Sequence, residues 1–70
     1  MAIYYQEDLL TPDLLYPLIG RSIRKLRQQN GITQERLAEL IGADQKQISQ
    51  IESGKARTRL PTYLLIANVF

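Results

Sequence analysis

The 70-residue sequence predicts an all-α fold of four main helices behind a short N-terminal arm. Two observations carry that prediction. The stretch Gln34 to Ser53, QERLAELIGADQKQISQIES, reads as two short helices joined by a tight turn, and the stretches on either side of it hold apolar residues at helical spacing. Asn30-Gly31, Gly42 and Gly54 also stand where those helices would have to end.

Residues 1–16 form the arm, separate from a helical body over residues 17–70. Ala2 to Tyr5 is short, apolar and aromatic, and reads as a strand or an extended segment. Thr11-Pro12-Asp13 has the form of a helix start: a hydroxyl cap, proline in the first position and an acid near the positive helix end. Leu14 and Leu15 give that single turn something to bury. Ile3, Tyr4, Tyr5, Leu9 and Leu10 argue against a disordered tail, in which large apolar residues are scarce. They favour packing on the body or on a second subunit.

Pro17 is placed to open the first main helix, from about Leu18 to Gln29, with Ile19, Ile23 and Leu26 inward and Arg21, Arg24, Lys25 and Gln28 outside. Thr33 then stands as N-cap of a helix from Gln34 to Ile41, whose buried stripe is Leu37, Ala38 and Ile41. Gly42 makes the turn, since glycine enters the left-handed conformation without a Cβ penalty. Asp44 caps the next helix, with Gln47 three residues on in a capping-box position. Ile48 and Ile51 face inward on it. Gln45, Lys46, Ser49 and Gln50 share the opposite face, which is polar and free of carboxylates.

Gly54 ends that helix, and Lys55, Arg57 and Arg59 alternate along the loop KARTR. Such a loop suits phosphates when it lies beside a groove, and is otherwise a solvated surface. The last helix takes Thr58 as N-cap and Pro61 within its first turn, with Leu60, Leu64 and Ala67 inward beside Tyr63 and Phe70. Leu65, Ile66 and Val69 add more apolar surface than one face can bury, so a face is left for a partner or for the arm to cover.

Composition narrows the chemistry. There is neither cysteine nor histidine, which removes disulfides, thiolate and the usual zinc sites, catalytic triads and histidine bases; the seven carboxylates form no motif, so neither an enzyme, a metal site nor a cofactor is expected. No apolar run approaches the roughly 20 residues of a membrane span, and Glu7 and Asp8 do not fit a signal peptide, pointing to a cytoplasmic protein with no membrane partner. At this size only about 60% of the unfolded surface is buried, so dimerisation would add needed stability. The net charge of +2 conceals an asymmetry. Residues 1–16 hold Glu7, Asp8 and Asp13 without a base, whereas residues 17–70 hold all nine Lys and Arg against Glu35, Glu39, Asp44 and Glu52. A basic body suits a polyanionic partner.

The spacing of Gln34, Ala38, Gly42, Ile48 and Ile51, inside LRQQNGITQERLAELIGADQKQISQIESGK, resembles the helix-turn-helix of lambdoid phage repressors and Cro, the Xre-like family. The resemblance covers Ile19 to Phe70 and implies a lambda-repressor-like DNA-binding domain with its motif at residues 34–53. It implies that the helix of about residues 45–52 enters the major groove, that Gln45, Lys46 and Gln50, with Ser49 on the same face, meet base edges, and that Gln34 meets a phosphate. Lys55, Arg57 and Arg59 are candidates for further phosphates. It also implies that Arg27 pairs with Glu52, tying the first helix to the recognition helix. The family's loop proline is displaced here to Pro61, which leaves the register of the last helix open.

The expected function is that of a sequence-specific transcriptional regulator, a repressor, that binds a palindromic operator in double-stranded DNA as a homodimer. The alternative is an antitoxin of the same family that represses its own operon and binds a toxin protein. A third reading is a protein-interaction module with an incidental basic face.

Overall fold

The computed structural model describes residues 12–70, which form four α-helices and no strand: α1 (Pro12–Gln29), α2 (Gln34–Ile41), α3 (Gln45–Glu52) and α4 (Leu60–Val69). The expectations for Ala2 to Tyr5, for Leu9 and Leu10 and for Thr11 as a cap lie outside the described residues.

The proline-led turn at Pro12 and the first main helix are one element, so α1 begins six residues before the expected start at Leu18. Pro17 is inside it. Proline has no N–H to give the Asp13 carbonyl, yet its fixed φ is helical, and here tertiary contact supports the helix. A Cβ built on Gly54 would lie 2.6 Å from the Pro17 Cα and 2.7 Å from its Cγ, so Pro17 sits directly on the Gly54 backbone. At the far end Gly31, at φ +66°, lets the chain turn so that Ile32 N–H donates back to the Arg27 carbonyl at 3.0 Å.

The middle pair is closed by its own caps. Thr33 Oγ1 accepts from Arg36 N–H at 3.0 Å, and Gly42 turns at φ +73° while Ala43 N–H reaches the Ala38 carbonyl at 2.8 Å. Asp44 Oδ1 accepts from Gln47 N–H at 2.8 Å, the half of the capping box that forms.

The core sits where α1, α2, α3 and α4 converge: Ile23, Leu37, Ala38, Ile48, Ile51 and Ile66 are buried, with Leu37, Ile48 and Ile51 closed off almost completely. Burying a leucine or isoleucine side chain is worth about 1.5–3 kcal/mol, so the five large members of this cluster are a substantial source of stability in a domain this small. Leu26, expected inward, is instead half exposed.

The last helix departs furthest from expectation. Its N-cap is Arg59 rather than Thr58, because Pro61 has no N–H and the first turn closes through Thr62 and Tyr63 N–H donating to the Arg59 carbonyl at 3.1 and 3.4 Å. Ile66 is its buried residue, with Tyr63 and Val69 packed against the core. Leu60, Leu64 and Ala67, expected inward, are exposed. The helix is apolar nearly all round, so spacing alone did not select a face; contact with α2 does. Leu60 and Ala67 instead line an apolar groove of about 310 Å³ with Tyr63, Phe70, Ile19 and Ile23. Among the described residues no helix is long and apolar enough to cross a membrane.

Candidate nucleic-acid interface

The orientation of α3 is set from three sides. Ile48 and Ile51 anchor its inner face in the core, Gly42 aims the chain into it, and α1 crosses its C-terminal end at Gly20. A Cβ on Gly20 would lie 2.1 Å from the Ile51 carbonyl oxygen and 2.7 Å from that of Glu52, so only a residue without a side chain lets the two backbones come this close. Gly20 was not singled out from the sequence. The one signal was a glycine inside a helical apolar pattern, which marks close packing when it marks anything.

Beneath this crossing lies a polar cluster. Arg27 grips Glu52 with two bonds, Nε to Oε2 at 2.7 Å and Nη2 to Oε1 at 3.1 Å, and its Nη1 donates to the Ile32 carbonyl at 2.9 Å. The two side chains are only 12% and 3% exposed. Buried charge is tolerated when paired and fully hydrogen-bonded, and no buried side-chain polar atom among the described residues lacks a partner. Gln34, half-buried at the start of α2, donates Nε2 to Glu52 Oε1 at 3.0 Å, and its Oε1 lies 3.5 Å from Gln45 Nε2. The structure therefore joins four of the sequence-derived site residues, Arg27, Glu52, Gln34 and Gln45, into one chain of contacts.

Gln45, Lys46, Ser49 and Gln50 are all exposed on the outer face of α3. The only acid on the helix, Glu52, is buried and turned to Arg27, so this face presents amides, a hydroxyl and an ammonium with no carboxylate to repel a phosphate. Amides supply donor and acceptor side by side, the pattern a base edge requires. Lys55, Arg57 and Arg59 follow in the exposed loop after α3. Arg57 Nη2 lies 3.4 Å from Asp13 Oδ1, but both side chains are largely exposed and such a pair is weak.

A family model described as helix-turn-helix matches residues 23–70, which span the end of α1 and all of α2, α3 and α4. No curated protein matches the sequence. With two capped helices set across a glycine turn, and with that match over more than half of its length, the chain belongs to the Xre-like, lambda-repressor-like helix-turn-helix family of DNA-binding regulators.

Proposed function

We propose that the protein is a sequence-specific repressor that binds double-stranded DNA as a two-fold homodimer, with α3 in the major groove. The observation that carries this reading is the outer face of α3, where Gln45, Lys46, Ser49 and Gln50 stand exposed with no acid among them. In this reading Gln45, Lys46 and Gln50 meet base edges, with Ser49 beside them, while Gln34, Lys55, Arg57 and Arg59 meet phosphates. A phosphate near Arg57 would readily replace Asp13, since an exposed ion pair holds its partner by little. Leu60, Leu64, Leu65 and Phe70 are exposed on or just beyond α4, and this apolar surface supports a protein partner, which in the first reading is the second subunit.

The same surface supports the second reading, an antitoxin whose partner is a toxin protein. The deciding experiment is selection of bound sites from random duplexes. Enrichment of a palindrome with half-sites about one helical turn apart, roughly 34–36 Å, is the expected result. Absence of any enriched sequence would overturn specific binding, and co-purification of a second protein in place of a dimer would favour the antitoxin.

A further inference from the structure

We propose that residues 3–10 of this same chain fold back along α1 and fill the apolar groove between α1 and α4, so that the N-terminal segment completes the hydrophobic core of the domain it precedes. The groove has the chemistry and the size for large apolar side chains. Ile19, Ile23 and Leu26 form its α1 wall, Leu60, Tyr63 and Phe70 stand opposite, and apart from the Tyr63 hydroxyl no side chain along it carries a polar group. It holds about 310 Å³, and a cavity of ~150 Å³ already takes a benzene ring, so there is room for about two large side chains. Leu26 is 43% exposed, Leu60 68% and Phe70 39%, and apolar surface of this kind gains free energy when it is covered.

The point of attachment aims the segment. Because α1 begins at Pro12, position 11 is its N-cap, Leu10 stands just before the cap and Leu15 stands at the fourth position after it. An apolar pair at those two positions packs together as a hydrophobic staple and turns the incoming chain over the first turn of the helix. Leu15 is exposed and lies one turn before Ile19 on the same face, so a chain turned this way is directed along the stripe that leads into the groove.

Length then sets the register. Ile19 and Leu26 lie about 10 and 21 Å from Pro12 at 1.5 Å per helical residue, and an extended chain covers about 3.3 Å per residue, which brings Leu9 level with Ile19 and Tyr5 level with Leu26. The two apolar clusters of the segment thus meet the two open parts of the α1 wall. Glu7 and Asp8 fall level with Ile23, which the core already buries, and bow out into water beside a body that holds all nine Lys and Arg. The tyrosines suit an open groove, since the ring is covered while the hydroxyl emerges. A tethered segment is also presented at an effective concentration on the order of millimolar, ahead of any second copy. Leu64 and Leu65 are exposed outside the groove and stay available to the partner of α4 proposed above.

The test uses the full chain without DNA, so its outcome is independent of the proposed function. In NMR spectra the ring protons of Tyr5 are expected to show NOE cross-peaks to the Leu26 methyl groups, and the Leu9 methyl groups to those of Ile19. A sample mixing labelled and unlabelled chains is expected to show none of these cross-peaks between chains. Urea unfolding supplies the second readout: Tyr5→Ser and Leu9→Ser are each expected to lower the folding equilibrium constant about tenfold, and Gln6→Ser to leave it nearly unchanged. Absence of the cross-peaks would overturn the proposal, as would Tyr5→Ser and Leu9→Ser being no more harmful than Gln6→Ser. Cross-peaks found only between chains would overturn it too, and would show the segment exchanged between two copies.

Discussion

At the scale of single residues, Arg27 and Glu52 behave as a unit. Each is nearly enclosed, and removing one strands the other charge away from water, which typically costs about 3–5 kcal/mol. Arg27→Ala and Glu52→Ala are each expected to destabilise the protein on that scale, and the double variant to lose clearly less than the two together; near-additive unfolding free energies would show that the pair does not interact. Gly20→Ala adds one methyl group where the Ile51 carbonyl oxygen would be 2.1 Å away, so α1 must lift from α3. A loss of about 1–3 kcal/mol of unfolding free energy, the range typical of overpacking and read from a lowered urea midpoint, is the expected outcome, in spite of alanine's better helix propensity. At the surface two kinds of contact separate by their physics. Gln45→Ala, Lys46→Ala and Gln50→Ala should relax preference at particular bases, whereas Arg57→Ala and Arg59→Ala should weaken binding to all duplexes alike and lower the slope of log K against log salt by about one per lost phosphate. Titrations at several salt concentrations distinguish them, and a changed base preference for Arg57→Ala with none for Gln45→Ala would place the wrong element in the groove.

At the scale of elements, α2 and α3 were legible because their signals are local. Thr33, Gly42, Asp44 and Gly54 each act within a few residues of themselves, and Leu37, Ala38, Ile48 and Ile51 show a stripe with a polar opposite face. The first helix was legible in type but not in extent, since Pro17 reads as a start when its neighbours in the sequence are consulted and as an interior residue only once Gly54, distant in the chain, is beneath it. The last helix was legible in type but not in register. Seven of its ten residues, from Leu60 to Val69, are apolar and offer little to set one face against another, so the choice of Ile66 over Leu64 is made by α2 and not by periodicity. The outer face of α3 could be listed from spacing and the Arg27 and Glu52 pair from family resemblance. The bond from Gln34 to Glu52 could not, because it joins residues 18 apart whose meeting depends on how α2 sits against the end of α3.

At the scale of the whole molecule, the exposed leucines of α4 join Leu14, Leu15 and Leu18 of α1 as large apolar side chains facing outward. So much apolar surface on a domain of this size is costly to leave wet, and a two-fold dimer is the expected state, alone or on DNA. Sedimentation that finds only a monomer under both conditions would rule it out.

The bare crossing at Gly20 bears on how the molecule comes apart. Where backbone lies on backbone with no side chain between, there is nothing flexible to yield by degrees, so α1 and α3 separate together or not at all. The last helix is seated differently, by a single enclosed side chain, Ile66. Amide hydrogen exchange should therefore divide the chain in two: protons in the middle of α1 and in α3 waiting for global unfolding, and those of α4 exchanging earlier through local opening that leaves the outer face of α3 undisturbed. Equal protection in α4 and α3 would mean that the molecule opens as one cooperative unit.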